Sequence, residues 1–122
     1  MKIKEVNLEN FEEIVLESIK PCAVVFTSSS CYLCKALNPI IARLLIHYQN
    51  KMLLFQANAD KEKKLMDFFL EKNSGVPSIV LFKNGTAQVL SEPENSDKDS
   101  WYSEEYLLQC FDHFIETFRG ER

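Results

Sequence analysis

Cys31-Tyr32-Leu33-Cys34, followed by Lys35, places two thiols three positions apart where a serine-rich stretch gives way to a strongly helical pattern. Such a pair can close a small disulfide ring and reopen it. With Cys31 in the first turn of a helix, unpaired backbone N–H groups and the positive end of the helix dipole favour a thiolate over a thiol. Cys31 is therefore the candidate nucleophile. Cys34, one turn further in and shielded by the helix, is placed to attack a mixed disulfide formed on Cys31 and release the reduced partner. The same spacing is also half of many zinc sites, so the surrounding sequence has to decide.

The elements that must position this pair are legible along the chain. Lys2 to Val6 reads as a short strand, and Asn7 as the cap of a helix carrying Leu8, Phe11, Ile14 and Val15 on one side. Cys22 to Thr27 is a nearly continuous apolar run, as expected of a central parallel strand covered on both faces. The helix from Cys31 repeats Leu37, Ile40, Ile41, Leu44, Leu45 and Tyr48 at helical spacing, with Pro39 predicting a kink. Met52 to Asn58 reads as another buried strand. Lys61 to Lys72 reads as a helix with Leu65, Phe68 and Phe69 inward, ended by Asn73-Ser74-Gly75. Pro77 opens the next strand. Ser78 to Lys83, Asn84-Gly85 and Thr86 to Leu90 form a hairpin, because Asn-Gly supplies the positive φ angles of a type I′ turn. Ser103 caps a last helix with Leu107, Phe111, Phe114 and Phe118 inward. The order βαβαβαββα specifies an α/β fold, a mixed sheet flanked by helices, with active groups expected at the carboxyl ends of parallel strands.

The length of 122 residues, 46% apolar and 26% charged, fits one domain over residues 1–122 with a core that needs no disulfide staples. Residues 1–20 hold no uninterrupted apolar stretch, so neither a signal peptide nor a membrane span can be read there, and a cytoplasmic location is expected. Four cysteines do not make a disulfide scaffold, and a lone Cys-x-x-Cys in a reducing compartment points to catalysis or metal. Zinc would need two more ligands near the pair, and none of Cys22, Cys110, His47 and His113 is placed locally to supply them, so no metal is expected. Cys22 and Cys110 read as core residues. The net charge of -4 without a basic cluster argues against nucleic acid or an anionic membrane as partner.

Taken together, the strand and Cys-x-x-Cys-Lys of Val24 to Lys35, Pro39 five residues after Cys34, Tyr48-Gln49, Asp60, Gly75-Val76-Pro77 and Phe82-Lys83-Asn84-Gly85 resemble thioredoxin over nearly the whole chain. The resemblance implies the thioredoxin fold, a cis peptide at Val76-Pro77 beside the cysteine pair, and thiol–disulfide exchange through Cys31 and then Cys34. From the sequence alone, Pro77 only begins a strand.

Departures from the family pattern concentrate around the pair. Ser30 stands where thioredoxins usually carry Trp, and Tyr32-Leu33 where they carry Gly-Pro. The family's buried aspartate and neighbouring lysine align with Val25 and Gln56. Losing both charges together can be nearly neutral for the fold, whereas losing one strands the other at several kcal/mol. Proton transfer from Cys34 is expected to be slower. Ser28, Ser29 and Ser30 can either hydrogen-bond the Cys31 thiolate or simply cap the helix. Lys35 can support the thiolate or remain a solvated surface lysine. Tyr32 and Leu33 read either as part of a substrate-contact surface or as packed against a loop. Residues 91–102, where the family usually has a short glycine-containing turn, carry Glu92, Pro93, Glu94, Asp97 and Asp99 before Trp101-Tyr102. This segment can screen partners, with Trp101 supplying an aromatic contact or packing inward. Tyr102 can staple to Leu107 across the Ser103 cap.

The expected function is thiol–disulfide exchange on protein disulfides, without a bound cofactor, with electrons drawn from a separate reductase or small thiol as the resemblance implies. The Lys83-Asn84-Gly85 hairpin favours this over a glutathione-using variant. The alternative is a binding module that docks an extended peptide along the Val76-Pro77 edge, its dithiol idle.

Overall fold

The computed structural model describes residues 3–49, 51–71, 75–90 and 102–117. Strand β2 (Cys22–Thr27) lies at the centre of a five-stranded sheet. It pairs in parallel with β3 (Leu53–Asn58) and antiparallel with β4 (Ser78–Lys83). The short β1 (Lys4–Glu5) extends the parallel side through β3, and β5 (Thr86–Val89) closes the other edge, giving the order β1-β3-β2-β4-β5. A six-residue apolar run is tolerated in β2 because both of its faces are covered: Cys22 to Phe26 are all buried.

Alternation along the strands divides the core. Ala23, Val25, Ile79 and Leu81 face the long helix α1 (Tyr32–His47) and the C-terminal helix α3 (Glu104–Thr117), meeting Leu37, Ile41, Leu44, Leu107, Phe111 and Phe114. Cys22, Val24, Phe26, Val80 and Phe82 point the other way, toward Phe11, Val15, and Leu65 and Met66 of α2 (Lys63–Phe69). Asn84 and Gly85 take φ values of 55° and 80° between β4 and β5, the backbone an Asn-Gly hairpin turn requires. The Ser103 hydroxyl accepts the Tyr106 N–H at 3.2 Å at the start of α3. Tyr102 and Leu107 are buried in one cluster on either side of that cap.

Several local expectations are corrected. Asn7 caps a turn rather than the helical segment itself: its Oδ1 accepts the Asn10 N–H at 3.0 Å and Asn10 Oδ1 accepts the Asn7 N–H at 2.8 Å, one turn ahead of Phe11, the N-cap of that segment. The segment that follows is a five-residue π-helical turn, Glu12–Leu16, which buries Val15 next to Phe11 but leaves Leu8 52% exposed. In α2 the inward residues are Leu65 and Met66, with Phe69 partly buried, whereas Phe68 is 79% exposed. With Met66 drawn into the face, Phe68 falls roughly 100° from its centre on a 3.6-residue turn. Helix α1 runs unbroken through Pro39, whose missing N–H leaves the Lys35 carbonyl without that bond. Among the described residues no helix is long and apolar enough to cross a membrane. Helix α2 also ends at Phe69, with Leu70 extended (φ -119°, ψ 156°), short of the Lys72 end and Asn73-Ser74-Gly75 stop expected from the sequence; residues 72–74, 91–101 and 118, which include most of that stop, the acidic loop and Phe118, lie outside the described residues.

Candidate functional site

At its carboxyl end β2 leaves the sheet at Thr27 and turns through Ser28, Ser29 and Ser30 into α1. Cys31 is the N-cap rather than a first-turn residue, with extended backbone angles (φ -91°, ψ 116°). Its sulfur occupies the place a serine or aspartate oxygen takes in a capped helix, accepting the Cys34 backbone N–H at 3.0 Å. Cys31 is partly exposed, whereas Cys34 is 3% exposed. Both are free thiols. Burial, the hydrogen bond with Cys31 and the charge of that sulfur push the Cys34 thiol up to about 12. The two thiols are thus differentiated, one partly exposed at the head of α1 and one buried and held protonated behind it.

Among the described residues no serine hydroxyl of this turn bonds the Cys31 sulfur, and Cys31 itself caps α1. Ser28 donates to Asp60 Oδ2 at 2.8 Å and lies 3.2 Å, oxygen to oxygen, from the Ser30 hydroxyl, while its carbonyl accepts the Cys31 N–H at 3.1 Å. Asp60 and Ser28 therefore fix the turn that presents Cys31, and the N–H that reaches the sulfur comes from inside the helix. Asp60 was part of the sequence resemblance, but nothing local marked it as the anchor of that turn.

On the opposite side, the Cys31 thiol donates to the Val76 carbonyl at 3.5 Å. The Val76-Pro77 peptide is cis, Pro77 is buried and Val76 partly exposed. Tyr32 is 78% exposed, Leu33 partly exposed, and Lys35 exposed. The structure thus brings Cys31, Cys34 and Val76 together, with Tyr32 on the open surface beside them. Trp101 lies outside the described residues.

Beneath α1, Val25 and Gln56 are register partners across β2 and β3. Val25 is buried and lines a cavity of ≈ 270 Å³ with Thr27, Leu37, Asn38 and Gln56. The sequence-aligned loss of two charges is thus realised as an apolar residue and a neutral amide in contact with one recess. Among the described residues no three His, Cys, Asp or Glu side chains cluster as metal ligands would. Cys22 is fully buried, and burial, partly offset by a hydrogen bond from Ser18, raises its thiol; Cys110 packs partly buried at the edge of the α3 cluster.

The family model for thioredoxin matches residues 2–101, most of the chain and all of the cysteine-pair region. The chain belongs to the thioredoxin family. It is 35% identical over 83 residues to the chloroplastic thioredoxin X of Arabidopsis thaliana, covering 68% of this chain and 44% of that protein. It is 34% identical over 83 residues to the thioredoxin of Rickettsia prowazekii (strain Madrid E), covering 68% of this chain and 77% of the relative. It is also 36% identical over 78 residues to protein disulfide-isomerase 2-3 of Arabidopsis thaliana, covering 64% of this chain and 17% of that protein. The chain spans less than half the length of the chloroplastic relatives it matches. The mixed five-stranded sheet flanked by helices is consistent with that membership, and on it the cysteine pair stands at the head of α1 with the Val76-Pro77 turn facing it. This thioredoxin-family chain keeps those features with Ser30, Tyr32, Leu33, Val25 and Gln56 at its departing positions.

Proposed function

We propose that this chain is a thiol–disulfide oxidoreductase acting as a reductase of protein disulfides, with Cys31 attacking and Cys34 resolving. The observation that carries the reading is the 3.0 Å bond from the Cys34 N–H to the Cys31 sulfur, which pairs an accessible sulfur on a helix N-terminus with a buried thiol one turn behind it. Cys31 thiolate attacks one sulfur of the substrate disulfide, forming a mixed disulfide and expelling the other as a thiolate. Cys34, on losing its proton, attacks the Cys31 sulfur, closing the Cys31–Cys34 disulfide and releasing the second substrate thiolate. Two electrons pass to the substrate, and its two thiolates take up two protons. A separate reductase or small thiol then restores the dithiol; no bound cofactor is required. Tyr32 and Leu33 supply contact area beside the nucleophile, and the Val76 carbonyl, released when Cys31 gives up its proton, is available to an N–H of the bound partner. The chain acts in the cytoplasm.

Reduction of insulin disulfides by the wild-type chain, Cys31→Ser and Cys34→Ser tests this. The wild type reduces insulin faster than an equal concentration of free dithiol, Cys31→Ser does not, and Cys34→Ser accumulates a covalent adduct with its substrate. A wild-type rate no greater than that of free dithiol, with no adduct on Cys34→Ser, overturns the reading in favour of a peptide-binding module.

A further inference from the structure

Cys34 has to lose a proton before it can resolve a mixed disulfide, and at 3% exposure it cannot hand that proton directly to bulk water. A second recess, which shares Thr27, Asn38 and Gln56 with the apolar cavity under Val25, reaches it. This cleft, ≈ 300 Å³, is lined by Cys34 together with Glu5, Ser28, Lys35, Gln56 and Asn58, among others. It is polar and roomy enough for several water molecules. Glu5 is the one carboxylate on its wall among the described residues.

Strand pairing puts it there. Glu5 is the register partner of Gln56 across β1 and β3, and Gln56 is in turn the partner of Val25 across β3 and β2. The Gln56 amide donates to Glu5 Oε2 at 3.2 Å, which holds the carboxylate over the cleft and leaves its other oxygen free of that bond. A position that is exposed in the two-residue edge strand thereby becomes part of the surroundings of a buried thiol 29 residues along the chain. The other charged and titratable groups facing Cys34 are Lys35 on α1, the Cys31 sulfur, and Asp60 behind Ser28.

We propose that Glu5, through water in this cleft, accepts the proton Cys34 releases as it attacks the mixed disulfide on Cys31. The step balances: the Cys34 S–H bond breaks and its proton passes by way of water to the Glu5 carboxylate, the Cys34–Cys31 bond forms, and the Cys31–substrate S–S bond breaks with its electron pair leaving on the substrate sulfur. Glu5 then returns the proton to solvent through the open side of the cleft. The proposal rests on the reading of Cys31 as nucleophile and Cys34 as resolving thiol, and assigns Glu5 a role in the second step only.

The two steps are measured separately by stopped flow with a fluorescent protein disulfide, following formation and then decay of the mixed disulfide in wild type, Glu5→Gln, Glu5→Asp and the neighbouring control Lys4→Gln. Expected for Glu5→Gln is an unchanged rate of formation and a decay roughly a hundred-fold slower at neutral pH. Its decay rate climbs steeply with hydroxide concentration across the neutral range, where the wild-type rate is flatter. Glu5→Asp recovers part of the rate and the flatter profile, and Lys4→Gln matches the wild type. Glu5 lies on an exposed edge strand, and thermal melts of all variants verify that folding is retained. A Glu5→Gln decay rate and pH profile equal to wild type, or a Glu5→Asp profile no different from Glu5→Gln, overturns the proposal while leaving Cys31 and Cys34 in their roles. A wild type that forms no mixed disulfide overturns both readings.

Discussion

The Cys34 backbone N–H points at the Cys31 sulfur across 3.0 Å, so the second cysteine supports the first through its main chain while its own side chain is buried. A single turn of helix therefore separates a partly exposed sulfur from a buried one. The thiol that is pushed up stays protonated at neutral pH, and the capped sulfur faces solvent.

Labelling of the reduced native chain with iodoacetamide at neutral pH is expected to modify Cys31 and to leave Cys34 and Cys22 unmodified until denaturant is added. Both protected thiols are buried and raised. Peptide mapping by mass spectrometry reads the sites directly, and early labelling of Cys34 would contradict the geometry.

Val25→Asp restores a carboxyl beneath α1, next to Gln56. Exchange on insulin should become faster at neutral pH, at a cost in stability of about 1–3 kcal/mol for a polar group in a buried site. Burial raises the folded-state pKa of that new carboxyl above its unfolded value. The unfolded chain then gives up the proton first, so the variant is closest to wild type in acid and loses stability as pH rises through the folded value. Urea unfolding at several pH values, with insulin turnover alongside, checks both halves. An exchange rate that does not change with pH in the folded variant means the missing carboxylate is not limiting.

Tyr48 donates to Asp112 Oδ1 at 2.6 Å, tying the end of α1 to α3. Burial and the neighbouring carboxylate hold its hydroxyl well above the usual tyrosine range. The folded chain therefore keeps a proton that the unfolded chain loses at a pH of about 10. The stability it contributes is complete below that pH and is lost as pH rises toward the folded value. Because Asp112 is exposed, Tyr48→Phe should cost only about 1 kcal/mol at neutral pH. It should also flatten the alkaline fall, a difference that guanidinium unfolding at neutral and alkaline pH resolves.

Gly85→Ala tests the hairpin. A methyl group would find space, since the nearest atom is the Leu16 carbonyl oxygen at 3.9 Å, but φ of 80° remains strained for any side chain. A loss of about 1–2 kcal/mol is expected, read as a drop in melting temperature of roughly 4 °C per kcal/mol, with insulin turnover unchanged because the turn lies away from Cys31.

Most of the scaffold is legible in the order of the residues. β2 and β4 run over the residues their apolar patterns mark, β3 starts one residue later, and the Asn84-Gly85 turn and the Ser103 cap stand where their local chemistry requires them. These features depend on neighbours a few positions apart, which a pattern carries in full. Packing between distant segments set the rest. It made Cys31 its own helix cap, turned Ser28 toward Asp60, 32 residues away, and rotated Phe68 out when Met66 was drawn in. It also brought Glu5 to Gln56, 51 residues apart, on a cleft that reaches Cys34. Periodicity specifies which face of a strand is buried, but only the parallel register of β1, β3 and β2 fixes which polar side chain stands next to which.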